Sequence, residues 1–244
     1  MSVHPMANPS GTEARAPRGP LRFARYTWQV KASTEQVGPG CNIYAPDGPF
    51  VDAQGNLHLR IGQSQGVWTC SEVFLDHSLG YGTYEWTVRG PVDALDTNAV
   101  LGLCTYECVP DGEPKRELDI EISRWGIPID PTNTQYVVQP YNNPGNRVRF
   151  TIPPDDIRVR FSWSQEKAVF STLTAAGSSL GTWTTSVDIP PAGNEQVHMN
   201  LWLYCEQDEP PCPEHPPAGN EPVEVVISDF SFFPVRRDAA VTAT

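Results

Sequence analysis

Three acidic residues alternate with apolar residues in the stretch 116–122, RELDIEI. If this stretch is a β-strand, its period of two places Glu117, Asp119 and Glu121 on one face and the leucine and isoleucines on the other. A solvated outer strand is the simplest interpretation. However, acidic residues are poor strand formers, and like charges spaced about 6–7 Å apart between Cα atoms repel one another. The alternation alone therefore leaves a solvated face and a functional face equally open.

Cleavage of a glycosidic bond is a chemistry that needs such a set of carboxyl groups. Two carboxyl groups must flank the scissile bond, one ionised as the nucleophile and one protonated as the acid. Their pKa values must therefore differ. A third acid between them can hold a shared proton and tune the nucleophile.

The same stretch resembles the active-site strand of glycoside hydrolase family 16, in the E-x-D-x-E form of bacterial lichenases. Further segments resemble that family in the same order along the chain: Cys70-Ser71-Glu72, 80–85 (GYGTYE), Thr105-Tyr106 and 199–202 (MNLW). The resemblance covers roughly residues 41–202. It implies an all-β fold, a concanavalin A-like β-jelly-roll sandwich of two antiparallel sheets with a substrate cleft on the concave face.

The catalytic roles implied by the resemblance transfer to single residues. Glu117 resembles the nucleophile, Asp119 the assisting acid and Glu121 the acid/base of a retaining enzyme that forms a covalent glycosyl-enzyme intermediate. Only Ile120 separates Asp119 from Glu121, which is similar to the unbulged lichenase-like and xyloglucan-transferase-like branches. The resemblance implies an endo-acting β-glycan hydrolase with a polysaccharide substrate.

The predicted substrate-binding residues combine aromatic rings, which stack on sugars, with polar groups that hold hydroxyls. They are Glu72, Tyr106, Lys115, Trp125, Asn200 and Trp202. Trp125 shares the strand parity of Glu121 if that strand extends so far, and Trp202 shares a face with Asn200. For each tryptophan a place in the core is the alternative.

The sequence departs from the lichenase pattern at positions that would line the cleft. Lys115 replaces a cleft tryptophan, Phe74 replaces an arginine, and Val137 and Gln139 replace polar and aromatic residues. Lys115 could bind sugar hydroxyls or an acidic sugar, lower the pKa of Glu117, or lie in solvent. Specificity for mixed-linkage glucan is therefore not implied.

The elements that must position these residues are short strands. The chain of 244 residues contains 25 Pro and 19 Gly, which leaves no room for long helices. At least ten β-rich runs separated by turn residues predict one sandwich over residues 21–236, with disordered tails at 1–20 and 237–244. The Pro-rich segment 206–222 is predicted to be a surface loop.

The composition limits the partners. A net charge of −12 argues against a nucleic-acid partner, and no apolar run is long enough to cross a membrane. We expect a monomer without a catalytic metal or cofactor. The implied fold commonly holds a structural calcium ion, which has no sequence signature of its own.

Six cysteines favour an oxidising compartment, so we expect an extracellular protein. No signal peptide is visible at the N-terminus, so the alternatives are an intracellular chain and one whose signal has been removed. The lichenase resemblance implies a Cys41–Cys70 disulfide, with Cys205–Cys212 as a second choice. The pairing of Cys104 and Cys108 stays open, because their Cα atoms would lie about 13 Å apart in a straight strand.

Three other functions fit parts of the sequence. A transglycosylase or a non-catalytic carbohydrate-binding domain could use the same fold. The motif Gly62-Gln63-Ser64-Gln65-Gly66 matches the nucleophile elbow of α/β esterases, but that motif needs a strand–turn–helix unit. Here it joins two β-runs, so we predict a hairpin turn.

Overall fold

The computed structural model describes residues 19–109, 115–207 and 210–235. The predicted tails lie outside the described residues, apart from 19 and 20 at the end of the first. In chain order the first eight strands are β1 (Leu21–Phe23), β2 (Tyr26–Val30), β3 (Phe50–Val51), β4 (Leu57–Ser64), β5 (Val67–Thr69), β6 (Ser71–Phe74), β7 (Gly82–Arg89) and β8 (Ala99–Tyr106). They are followed by β9 (Leu118–Ile122), β10 (Thr134–Val138), β11 (Arg147–Phe150), β12 (Ile157–Trp163), β13 (Ala168–Thr174), β14 (Ser179–Thr185), β15 (Gln196–Leu203) and β16 (Val223–Pro234).

The strands form two antiparallel sheets. The first, which we call the acid-bearing sheet, has the order β1-β2-β6-β15-β8-β9-β10-β11. The second has the order β14-β13-β12-β7-β16-β4-β3, with β5 paired to β4. This confirms the predicted all-β sandwich. Among the described residues, no helix has the length and hydrophobicity needed to cross a membrane.

The core lies between the two sheets and is built by the alternation along each strand. On β9, Leu118, Ile120 and Ile122 are at most 1% exposed and face inward. The second sheet meets them with large aromatic side chains: Tyr84, Trp86, Trp163, Phe161 and Phe170. Burying such rings provides the main driving force of folding. The acidic face of β9 is consequently turned away from the core.

The register of the acid-bearing sheet aligns polar side chains in rows across its outer face. One row contains, in spatial order, Glu72, Asn200, Gly102, Glu121, Gln135 and Arg149. The next row contains Phe74, His198, Cys104, Asp119, Val137 and Arg147. Cross-strand neighbours in such rows have Cβ atoms about 4.5–5.5 Å apart. The acids of β9 therefore lie in the middle of a mostly polar surface built by six strands.

The Gly62–Gly66 motif is a hairpin turn, as predicted. Ser64 ends β4, and the two-residue turn that follows has positive φ at Gln65 (53°) and Gly66 (82°). This is the conformation of a type I′ turn, which suits the twist of paired strands. Because Ser64 pairs with Val67 in a hairpin, no elbow places it above a helix.

The disulfide prediction was wrong. Cys41 is bonded to Cys212, with Cα atoms 6.0 Å apart. Cys70 and Cys205 are free thiols, so neither Cys41–Cys70 nor the second choice Cys205–Cys212 is present. The bond instead ties the Pro-rich loop between β15 and β16 to the segment before β3, across 171 residues.

The backbone around Cys70 explains the difference. Cys70 N donates to Ile43 O at 2.8 Å, and its Sγ lies 3.3 Å from Asn42 Oδ1 within the buried interior. Cys41 adopts a φ of 57° at the turn before Asn42, and its Sγ lies 3.4 Å from Gln207 O. The turn therefore directs Cys41 toward the loop and away from Cys70.

Candidate active site

The strand β9 and the residue before it carry the three acids on one face. Glu117 precedes β9, and Gln139 N donates to its carbonyl oxygen at 3.1 Å, which continues the β9–β10 ladder by one residue. Arg116 has a φ of 51°, and Thr105 Oγ1 donates to its carbonyl oxygen at 3.0 Å. Thr105 Oγ1 also accepts from Leu118 N at 3.3 Å. This buried hydroxyl holds the turn that brings Glu117 into line with the strand.

Asp119 is the central acid and is only 4% exposed. Gln139 Nε2 donates to its Oδ2 at 3.1 Å, and the Cys104 thiol also forms a hydrogen bond with it. Burial raises the pKa of Asp119 well above its usual range, and the charges of Glu117 and Glu121 raise it further. The raised pKa favours the protonated form of Asp119, which lies between the other two acids.

Glu117 is half-buried, and its pKa is raised to about 7 by burial and then by the charge of Glu121. The charge of Lys115 opposes the rise. Lys115 itself is exposed. Two of the three interpretations of Lys115 are thus compatible with the structure: a place in solvent and a lowering effect on the pKa of Glu117.

Glu121 is held by a chain of donors from the next two strands. Gln135 Nε2 donates to Glu121 Oε2 at 2.7 Å, and Arg149 donates to the other end of that amide at 2.9 Å. Arg149 is anchored in turn by Asp130 at 2.8 Å. Burial raises the pKa of Glu121 to about 7, although the Gln135 hydrogen bond and the charges of Arg149 and Arg147 oppose the rise.

All three carboxyl groups have raised pKa values, which suits acid/base chemistry at neutral pH. Two have a pKa of about 7, and the one between them has a pKa well above the usual range. The charge of Glu121 raises the pKa of Glu117, and the charges of both raise the pKa of Asp119, so the protonation of each group depends on its neighbours. Such a set can present one ionised and one protonated carboxyl group at once.

Glu72, predicted to bind substrate, has both carboxylate oxygens engaged by protein groups. Lys31 Nζ lies 2.9 Å from Oε2, and His198 Nδ1 lies 2.8 Å from Oε1. Burial tends to raise the pKa of Glu72, but the bonds from His198 and Lys31 outweigh it and lower the pKa. Glu72 is therefore an ionised anchor for two neighbouring side chains.

Asn200, which the sequence predicted to bind substrate, lies in the row of Glu121. It is 6% exposed, and its Oδ1 is buried without a hydrogen-bond partner among the described residues. Gly102 separates it from Glu121 in the sheet, and a Cβ at Gly102 would lie 2.3 Å from that oxygen. Glycine therefore makes the room that the Asn200 amide occupies.

Trp125 and Trp202 are in contact, but Trp125 does not lie on the strand from which its orientation was predicted. The strand β9 ends at Ile122, so the parity argument for Trp125 was wrong. Trp125 instead lies in a turn with a φ of 51° and packs edge-on against Trp202, with ring centroids 5.8 Å apart. Trp202 is 7% exposed because Gly40 covers its ring. Little of Trp202 is thus accessible to stack on a sugar.

Tyr106 lies on the same face as Glu117 and is half-buried. Its ring meets the ring of His198 edge-on, with centroids 5.8 Å apart. Burial raises its pKa. Tyr106 is therefore a neutral aromatic wall beside the acids.

Sequence reasoning missed several residues of this site. His198, Gln135, Arg149 and Gly102 were not singled out. The alternation within β15 and β10 could have found the first two, because His198 shares the parity of Asn200, and Gln135 shares that of Gln139. Arg149 could be found only from the pairing of β10 with β11. Among the described residues, no group of three or more His, Cys, Asp or Glu is arranged to hold a metal ion.

The fold defines the structural class, which is the two-sheet sandwich of solved family 16 glycoside hydrolases. The chain is similar to a β-glucanase from Bacillus licheniformis, with 20% identity over 86% of this chain and 92% of that chain and a TM-score of 0.64. It is similar to a laminarinase from Flavobacterium sp. UMI-01, with 12% identity over 84% and 92% and a TM-score of 0.61. A family 16 glycosyl hydrolase from Mycobacterium smegmatis str. MC2 155 has 18% identity over 88% and 95% and a TM-score of 0.56.

These likenesses confirm the fold that the sequence resemblance implied. No protein-family model and no curated protein matches the chain. At 12–20% identity the solved structures establish the architecture alone.

Proposed function

We propose that this protein is a retaining endo-β-glycan hydrolase that cleaves a polysaccharide by double displacement. The observation that carries the proposal is the set of three mutually coupled carboxyl groups on one face of β9. Their raised pKa values supply the ionised and protonated partners that glycosidic cleavage needs at neutral pH. The likeness to solved glucanases and a laminarinase supports a glucan-type substrate.

The roles follow the order of the residues in the E-x-D-x-E motif. Glu121, protonated, donates its proton to the glycosidic oxygen while the Glu117 carboxylate attacks the anomeric carbon and the leaving sugar departs. Glu121, now ionised, removes a proton from water, which displaces Glu117 and restores both groups. Asp119 keeps a proton between them and limits the repulsion of their charges. Each displacement inverts the anomeric centre, so the product retains the original configuration.

The binding side chains differ enough from the lichenase pattern to change the preference among polysaccharides. Lys115 is an exposed cation where a stacking ring is expected, and Val137 is a fully buried apolar residue opposite Asp119. We expect lower turnover of barley mixed-linkage glucan than a lichenase shows. We keep Asn200 and Tyr106 as substrate-binding residues. Trp202 lies two residues beyond Asn200 on β15 and packs edge-on against Trp125.

Chemical rescue tests the assignment. With an activated aryl glycoside, azide should rescue Glu121→Ala and give a glycosyl azide of retained configuration. Azide should rescue Glu117→Ala with inverted configuration, because the anion then occupies the place of the nucleophile. Glu117→Gln should lower activity by several orders of magnitude, whereas Glu166→Gln, an exposed matched control, should leave it unchanged. Wild-type rates in both Glu117 and Glu121 variants would refute the proposal.

The same experiments separate the alternatives. A transglycosylase would transfer the glycosyl group to an added sugar acceptor in preference to water. A non-catalytic carbohydrate-binding domain would bind polysaccharide without releasing reducing ends. We also propose an extracellular location, supported by the Cys41–Cys212 disulfide, which forms in oxidising compartments.

A further inference from the structure

His198 is held rigidly on the acid-bearing sheet. It is 9% exposed, and Phe74 stacks against its ring at a centroid distance of 5.5 Å and an interplanar angle of 15°. Tyr106 meets the ring edge-on at 86°. Glu72 Oε1 lies 2.8 Å from its Nδ1. With three sides occupied, the ring has one orientation.

This arrangement leaves the second ring nitrogen without a partner. Nε2 of His198 is buried and forms no hydrogen bond with the described residues. Since the ionised Glu72 carboxylate can only accept, Nδ1 carries a hydrogen. Nε2 therefore accepts when the ring is neutral and donates when the ring is protonated. A sugar hydroxyl can satisfy it in either state, because a hydroxyl both donates and accepts.

The position of His198 places its ring in the same cross-strand row as Asp119. His198 pairs with Cys104, which pairs with Asp119, so two strand spacings of about 4.8 Å each separate His198 from the central acid. Two residues along β15, Asn200 Oδ1 is a second buried polar atom without a protein partner. Burying such atoms unpaired costs free energy, so both are suited to a ligand that supplies hydroxyl groups.

We propose that His198 Nε2 is a substrate-contacting group that binds a hydroxyl of the sugar placed over Asp119, and that Glu72 acts by orienting it. This inference rests on the proposed function only in that the ligand is a glycan. It assigns Glu72 an indirect role, since both of its carboxylate oxygens are engaged within the protein. It makes His198 a determinant of which hydroxyl pattern the site accepts.

Two substitutions separate the nitrogens of the ring. His198→Asn keeps an amide near the position of Nδ1 and can still bond Glu72, but it removes Nε2. His198→Gln places an amide near the position of Nε2 but gives up the Glu72 bond. Both are measured with laminarin, barley β-glucan and xyloglucan, by kcat/KM in the active protein and by affinity electrophoresis in the Glu117→Gln background. Thermal unfolding of each variant is followed in parallel.

We expect His198→Asn to lower kcat/KM and glycan affinity by about three- to tenfold, the value of one hydrogen bond, with the larger part in KM. His198→Gln should stay closer to wild type in affinity while unfolding at a lower temperature. If His198→Gln instead lost more glycan affinity than His198→Asn, affinity would fall together with stability. That result would show that His198 only supports the fold and would overturn the inference.

The outcome also distinguishes this inference from the proposed function. If the wild type cleaves no glycan but the Glu117→Gln variant binds one and His198→Asn weakens that binding, the inference stands and the hydrolase proposal fails. If the wild type cleaves glycan and His198→Asn matches it in kcat/KM and affinity, the inference fails and the hydrolase proposal stands. Absence of both binding and cleavage across the glycans overturns both.

Discussion

Gln135 Nε2 lies 2.7 Å from Glu121 Oε2, directly across the β9–β10 pair. The amide N–H donates to this oxygen, and the bond is stronger when the carboxyl group is ionised, so it stabilises the ionised form of Glu121. Arg149 bonds the amide oxygen of Gln135 at 2.9 Å and thereby fixes which end of the amide faces the acid. The proton affinity of Glu121 is thus set by residues on two neighbouring strands.

Replacing Gln135 should shift the alkaline limb of the pH–rate profile. Gln135→Leu removes a hydrogen bond that lowers the pKa of Glu121, so that pKa rises above its present value of about 7. Glu121 must be protonated to assist departure of the leaving sugar. The alkaline limb of kcat/KM should therefore move to a pH about one unit higher. The measurement is kcat/KM against pH on the best glycan substrate. Gln54→Leu, in an exposed turn, should leave the profile unchanged, and a shift to lower pH would contradict the prediction.

Replacing Lys115 should shift the acidic limb. The charge of Lys115 lowers the pKa of Glu117, so Lys115→Ala should raise that pKa and move the acidic limb to higher pH. Because Lys115 is exposed, solvent and salt screen the interaction, and we expect a shift of only a few tenths of a unit at low ionic strength. Lys167→Ala, an exposed control far along the chain, should have no effect. An unchanged profile combined with altered polysaccharide preference would assign Lys115 to substrate binding instead.

Gly102 should be essential for activity beyond its effect on stability. A Cβ at this position would lie 2.3 Å from Asn200 Oδ1, so Gly102→Ala should force the Asn200 amide out of its position. We expect kcat/KM to fall by about tenfold or more, whereas stability should fall by only about 1–3 kcal/mol, as in overpacked sites. Gly62→Ala is the matched strand control, since a Cβ there meets nothing within 4 Å. Equal activities in the two variants would show that Asn200 does not need its present position.

The disulfide should stabilise the protein by holding its longest Pro-rich loop. Cys212→Ser removes the bond to Cys41, and we expect a loss of about 2–4 kcal/mol in the free energy of unfolding. Cys108→Ser, which changes an exposed free thiol, should have little effect. Unfolding by denaturant gives the free energies, and mass mapping of unreduced protein identifies the bond. A peptide that joins Cys41 to Cys70 would contradict the pairing.

The fold was largely predictable because its central strands alternate strictly. All ten β-rich runs expected from the sequence correspond to strands of the described structure. The short strands β1, β2, β3, β5 and β6 and the Ser/Thr-rich β14 were missed. β1, β3 and β5 have only two or three residues, too few to display a period, and each forms by pairing with a neighbouring strand.

The sequence by itself determined that Glu117, Asp119 and Glu121 share one face, because successive side chains of any strand point to opposite sides. Only the tertiary structure decided what meets them. Gln135 bonds Glu121, and Arg149 bonds Gln135, because β10 and β11 pair in this register beside β9. His198 is placed two strands from Asp119 by the pairing of β15 with β8. In the same way, Cys41 meets Cys212 across 171 residues. A local pattern specifies direction along one strand, whereas partners across strands depend on how the whole sheet packs over its core.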